Sequence, residues 1–370
     1  MPVPSPSPAV PPCPSRRTVL RATLGTLGAG LLGTEALTAC GPVALGGPEE
    51  YTPPPPGIDD LYRNDLLALL DRAIAGADAL LAAQGGGASD GGGDDGAIGA
   101  EASLTSALSA LTTALPVQRD ALLTGAQQER EAEAAEDPGA EEDVVPVPVE
   151  VPGDIPALLA VLVELRDLAA DGARQVSGSL ARPLVAVAAR TAWSARRLQT
   201  ASGQGEVSPS PVAADLVPQR DVPQTDPPSV GAQEDYFSSL ERAQQEEWYA
   251  GYVHEVLAAR TDGDQRTARL DEAELHRTRA AELAGYAEED GGPVVVREAV
   301  YALPGGTLDD ATAALLPARL AQGLLVDHTA LVGAAPFERR ALSIAAALAE
   351  AELLAGLVDG MDPLPGLVAE

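Results

Sequence analysis

The chain has three histidines, His254, His276 and His328, and all of them fall in its last third. Around them stand carboxylates with helical spacing. His276 shares a stripe with Ala273, Ala280, Ala284 and Ala287, and Asp327, with His328 beside it, lies on the stripe Leu316, Leu320, Leu324 and Leu331. Glu246 shares a face with Tyr249, Val253 and Val256, while Glu350 and Glu352 interrupt an otherwise apolar final helix. Inward charges are costly unless they are paired, so such a cluster requires either a metal or internal partners. On the first alternative Glu246, His276, Asp327, His328 and Glu350 are ligands, and an oxygen-rich set with one or two histidines favours iron or manganese over structural zinc, for redox or storage. On the second, Arg242, Arg277, Arg279 and Arg319 supply the cations and the cluster is a satisfied polar core. The second is the simpler reading. His254 is expected at the surface or boundary. Trp248, Tyr249 and Tyr252 are expected to pack in the core and at its rim, with an aromatic wall for a ligand as the alternative.

Other chemistries find no support. No lysine occurs, so the 24 basic residues are all arginine and a phosphate loop ending in Gly-Lys is absent. The one Gly-x-Ser-x-Gly spacing, Gly87 to Gly91, falls inside a glycine run with no strand before it, so it does not read as a nucleophile elbow. The glycine run from Gly85 reads as linker, and the acidic run Glu136 to Asp143 as a solvated segment. A formal charge of −31 repels phosphate backbones, which excludes nucleic acid as a partner. It is most simply explained by solubility.

The first forty residues carry a different signal. Arg16 and Arg17 precede a weakly apolar stretch, Thr18 to Leu37, that Arg21 and Glu35 interrupt too often for a membrane span. This resembles a twin-arginine export signal, an address read by a receptor. Leu37-Thr38-Ala39-Cys40 follows at once and resembles a lipobox, in which Cys40 takes a diacylglycerol thioether and becomes the new N-terminus. Each buried CH2 contributes about 0.8 kcal/mol, so two palmitate-like acyl chains anchor stably. The expected location is therefore the outer face of the cytoplasmic membrane, with the membrane itself and an envelope protein as partners. Only two cysteines occur, and Cys13 lies in the leader, so the body past Cys40 has no thiol for catalysis or disulfides.

Positioning the histidine cluster falls to helices. Hydrophobic residues reach 45% with only 3% aromatics, a content dominated by Ala, Leu and Val that suits an all-α fold. Residues 1–39 read as the leader and 40–57 as a proline-rich spacer. Residues 58–201 read as an N-terminal bundle of four helices: Asp59 to Gln84, Ala102 to Ala135, one capped by Asp154, and Ser179 to Ala201. The Ser-, Pro- and Gln-rich stretch 202–230 reads as a disordered linker. Residues 231–361 read as a second four-helix bundle before a tail, 362–370. Its helices are Asp235 to Arg260, Asp264 to Ala287, one entered through Thr307 and extending to Gly333, and one from Pro336. A long crossover, Glu288 to Gly306, separates two helical hairpins, which is the connectivity of ferritin-like bundles.

Glu246-Glu247-Trp248-Tyr249-Ala250-Gly251-Tyr252, His276-Arg277-Thr278-Arg279 and Tyr301-Ala302-Leu303-Pro304 occur in that order across residues 235–358. This region resembles an uncharacterised ferritin-like family, a domain of unknown function found in lipoproteins and exported proteins of high-GC Gram-positive bacteria. The resemblance implies a ferritin-like four-helix bundle. The Glu-x-x-His pairs of ferritin-like di-iron proteins are missing. The expected function is a tethered, non-catalytic binding or structural envelope protein, and the alternative is a ferritin-like iron or manganese metalloprotein.

Overall fold

A computed structural model describes residues 56–85, 95–136, 150–222, 233–304 and 308–367. The export signal, the lipobox with Cys40 and nearly all of the proline-rich spacer lie outside these residues. The described residues contain nine α-helices, and no strand occurs among them. They are α1 (Ile58–Gly85), α2 (Asp95–Leu122), α3 (Gly125–Glu136), α4 (Ile155–Gln175), α5 (Gly178–Ser202), α6 (Gln233–Ala258), α7 (Gly263–Asp290), α8 (Asp310–Ala334) and α9 (Arg340–Leu354). No helix among the described residues is long and apolar enough to cross a membrane.

Local chemistry accounts for most helix ends. Asp154 caps α4, its carboxylate accepting from the Ala157 N–H at 2.8 Å, as its sequence position suggests. Gly203, at φ 63°, terminates α5 in the left-handed region. The stretch expected as one helix from Ala102 to Ala135 breaks at Leu123 and Thr124, because Thr124 and Gln127 form a reciprocal capping box. The Thr124 N–H donates to Gln127 Oε1 at 2.8 Å, and the Gln127 N–H to Thr124 Oγ1 at 3.3 Å. The N-cap of α8 is Asp309, which accepts from the Thr312 N–H at 2.7 Å, while Thr307 lies outside the described residues.

Helix α5 explains how the parts are joined. It is buried almost all round, through Leu180, Leu184, Val185, Val187, Ala188, Ala192, Trp193 and Leu198, and a helix apolar on every side belongs at a centre. Its many alanines let α2, α4, α8 and α9 approach it. One continuous apolar core consequently contains Leu66, Leu70 and Leu162 together with Leu325, Val332, Ile344, Leu348 and Leu354. The sequence left open whether the two sets of helices meet; in the structure they share this core within one compact unit.

Polar ties reinforce the junction. Arg340 is buried and donates from Nε to the Ala335 carbonyl at 2.9 Å and from one terminal nitrogen to the carbonyls of Ala173 and Val176 at 3.2 and 2.6 Å. One cation thus satisfies the otherwise orphaned carbonyl ends of α4 and α8. Glu352, on α9, reaches Arg196 at 3.2 Å, Arg166 at 3.5 Å and the Ser210 hydroxyl at 2.7 Å.

The expectation of a disordered linker over 202–230 is corrected for its first part. Residues 203–222 lie against α4, with Val207 and Leu216 buried in the core. Arg166 donates to the Ser208 carbonyl at 2.8 Å, and Gln175 Oε1 accepts from the backbone of Gln219 and Arg220 at 2.8 and 3.0 Å and from the Tyr62 hydroxyl at 2.6 Å. The composition lacks helical periodicity, but side chains on α4 satisfy the strap's backbone in place of secondary structure. Arg340→Met is expected to cost about 3 kcal/mol in urea unfolding, because it leaves three buried carbonyls without a donor. An unchanged midpoint would show that the junction does not depend on it.

Candidate functional site

The centre of the α6–α9 bundle is a carboxylate that the sequence reading passed over. Glu247 is 0% exposed. Its Oε2 accepts from His276 Nδ1 at 2.7 Å and its Oε1 from His328 Nε2 at 2.8 Å. A carboxylate only accepts, so these contacts place a proton on Nδ1 of His276 and on Nε2 of His328. Arg279, three residues beyond His276 and therefore on the same face of α7, brings its guanidinium within 3.6 Å of Glu247 Oε1 and donates to Glu350 Oε1 at 2.6 Å. All four helices of the bundle contribute: Glu247 from α6, His276 and Arg279 from α7, His328 from α8 and Glu350 from α9. His254, one heptad beyond Glu247, is buried with its ring 5.2 Å from that of His276. Three buried atoms of the cluster have no partner: Nδ1 of His254, Nδ1 of His328 and Oε2 of Glu350.

The electrostatics follow from this geometry. Burial opposes ionisation of Glu247, but the hydrogen bonds from His276 and His328 and the nearby Arg279 outweigh it and hold the carboxyl down at about 2. Burial also opposes charge on His276, yet its bond to Glu247 and the field of Glu247 and Glu350 raise it. His254 has no such partner. Burial, with His276 beside it, pushes it down to about 3.

Of the residues proposed as ligands, His276, His328 and Glu350 come together in this cluster. Glu246 and Asp327 do not. Asp327 is buried, as its stripe predicts, but pairs with Nε of the largely exposed Arg242 at 2.9 Å, and Glu246 is only partly buried. Burial, and for Glu246 also the charge of Asp327, raises both carboxyls. His254, expected at the surface or boundary, is only 1% exposed. The stripe that α6 turns inward is Leu240, Ala243, Glu247, Ala250, His254 and Leu257, at steps of three and four, and following that phase would have found both Glu247 and His254.

A di-metal centre of the ferritin-like kind does not fit these residues. Among the described residues no group of three or more His, Cys, Asp or Glu side chains is placed to hold a metal ion. The guanidinium of Arg279 lies 3.6 Å from Glu247 and 2.6 Å from Glu350, so these carboxylates already have a cation from the chain itself.

The aromatic residues beside Glu247 hold the crossover down. Tyr249 and Tyr252 pack on Tyr301, with ring centroids 6.0 and 5.4 Å apart, and Arg297 lies 5.9 Å over Trp248. Gln244 clamps the crossover's start, accepting from the Val295 N–H at 3.0 Å and donating to the Pro293 carbonyl at 3.1 Å.

Residues 239–369 match the model of a family described as a domain of unknown function (DUF4439), a span that takes in every residue of the buried cluster. No curated protein and no solved structure matches the chain.

The cluster sets a pH dependence. Glu247 is depressed, so its contribution is present above about 4.5 and lost as pH falls toward 2. His254 is also depressed, so its contribution is present above about 6.5 and lost as pH falls toward 3. His276 is raised, so its contribution is present below about 6.5 and lost as pH rises through its folded value. Thermal stability is therefore expected to peak near neutrality and fall on both sides. Glu247→Gln should flatten the limb below pH 4.5, and His276→Gln should remove the alkaline one. An acid limb identical in wild type and Glu247→Gln would contradict the assignment.

Proposed function

We propose that the chain is an exported lipoprotein, tethered to the outer face of the cytoplasmic membrane through Cys40, whose helical body is a non-catalytic binding or structural module of the cell envelope. The observation that carries the non-catalytic part is Arg279 lying between Glu247 and Glu350. With that cation in place, His276 and His328 each give one ring nitrogen to the Glu247 carboxylate, and both rings are buried from solvent. Hairpin α6–α7, long crossover and hairpin α8–α9 follow one another in the order of ferritin-like bundles, which supports assigning the domain at 239–369 to that fold. Arg16-Arg17 and Leu37-Thr38-Ala39-Cys40 support export and lipid attachment. The acidity of the body favours a protein or small-molecule partner over nucleic acid or anionic headgroups.

Two measurements on the full-length protein, exported by its own route, test this reading. Cys40→Ser is expected to leave the membrane fraction after leader cleavage, and a cleaved variant that stays with the membrane would overturn the tether. Metal analysis of the wild type is expected to find no stoichiometric iron or manganese. Stoichiometric metal that disappears in His276→Ala would instead make the bundle a ferritin-like metalloprotein.

A further inference from the structure

A second polar centre lies far from the histidines in sequence, and its charge is not matched. Arg190, on α5, is 3% exposed and makes no ion pair among the described residues. Its guanidinium donates to the Ser194 hydroxyl at 2.9 Å and, over a long 3.3 Å, to the Ala110 carbonyl, while Nε has no partner. It stacks 4.4 Å over the ring of Trp193, whose own Nε1–H is buried and also unpartnered. Other buried arginines are better served: Arg279 has Glu350, Arg166 has Asp167, and Arg340 has three helix-end carbonyls. Burial without a close carboxylate, opposed only by the field of Asp362, pushes Arg190 down to about 10. Two unsatisfied donors and an unpaired cation in one place are costly, and a buried group left in that state calls for an explanation.

Arg190 and Trp193 line a pocket of about 380 Å³ between α2, α5 and the segment that follows α9. That segment is held on α2 by Gln118, which donates to the Pro363 carbonyl at 3.1 Å. The remaining walls divide by chemistry. Ala110, Ala114, Met361 and Pro363 are apolar, and the hydroxyls of Ser106 and Ser109 stand at the rim. The volume falls in the range of small-molecule sites and exceeds what an inorganic ion would fill.

We infer that this pocket binds a small organic monocarboxylate, its oxygens taken by Arg190 and the rim serines and its apolar body seated against Trp193, Met361 and Pro363. The unpaired guanidinium selects an anion, because a planar fork of donors matches a carboxylate. The acidic surroundings select a single charge. Asp359 lies at the rim paired to Arg197, and the field of Asp362 reaches Arg190, so a dianion such as phosphate meets repulsion that a monoanion largely avoids. The pocket gives the binding module a ligand class. It rests on the reading of the body as a binding module, but metal content and membrane release bear on that reading separately from ligand binding.

Trp193 reports on its own occupancy. The chain has two tryptophans, so Trp248→Phe leaves Trp193 as the only indole. In that background the full-length protein in detergent is titrated with acetate, hexanoate and benzoate, and in parallel with hexanamide and benzamide. A saturable change in Trp193 emission is expected with hexanoate or benzoate and not with the amides. Arg190→Gln is expected to weaken binding at least about tenfold, the loss of a hydrogen bond to a charged group. No saturable response to any carboxylate, equal responses to acid and amide, or unchanged affinity in Arg190→Gln would overturn the proposal. If Arg190→Gln does not fold, Ser106→Ala/Ser109→Ala at the exposed rim carries the test. A severalfold loss of affinity is expected there, and unchanged affinity overturns the proposal.

Discussion

Placing the carboxylate of Glu247 where it has no contact with solvent costs several kcal/mol unless its lone pairs and charge are met from within the protein. Meeting them fixes the arrangement of four helices. His276 must present Nδ1 from α7 and His328 must present Nε2 from α8. The helical spacing of three then delivers Arg279 beside His276, and the second demand of that guanidinium draws in Glu350 from α9. Each helix of the bundle is thereby registered against one buried group. Breaking one member leaves an uncompensated charge, which is more costly than never having buried the set.

The same physics distinguishes the molecule's two buried polar centres. Around Glu247 the charged groups meet opposite charges or donors at hydrogen-bond distance, and what is left unpartnered is one oxygen of Glu350 and one ring nitrogen each of His254 and His328. Around Arg190 a cation without a carboxylate partner lies beside a pocket, and its Nε and the Trp193 indole N–H have no acceptor. The continuous core built on α5 brings both centres into one body, since Arg190 and Trp193 project from the helix on which α8 and α9 pack. The α6–α9 bundle is thus stabilised by a largely matched polar core, and the proposed ligand site lies at the unmatched one.

Much of this was legible in the sequence because it is periodic. Of Tyr62, Leu66, Leu69, Ala73, Ala77 and Leu80, spaced by three and four, all are buried but Leu80, which is half-buried, and Asp154 caps the helix that its position suggests. The three histidines were visible as an unusual concentration, and pairing by arginine was one of the two alternatives weighed. Glu247 was not found because α6 is polar around much of its circumference, so two phases of a 3.6-residue period fit it. The phase through Glu246, Tyr249 and Val253 and the phase through Leu240, Glu247 and His254 differ by one residue, or about 100° of rotation. The strap 203–222 was illegible for another reason. What orders it is a set of side chains some forty residues away, Arg166 and Gln175, and such pairings leave no period in the sequence. Arg190 gave no signal because one of four arginines on an alanine-rich helix looks like any solvated one until its neighbours are known.

The claim on which the rest stands is that Arg279 is the cation that neutralises Glu247 and Glu350, and a double-mutant cycle on stability tests it most directly. Arg279→Met alone should destabilise the protein by about 3 to 5 kcal/mol, the cost of leaving a buried carboxylate unpaired. Combining it with Glu350→Leu should recover a large part of that loss, because the pair is then replaced by apolar groups of similar volume. A single variant within about 0.5 kcal/mol of wild type, or a double variant whose loss is the plain sum of the two singles, would contradict it.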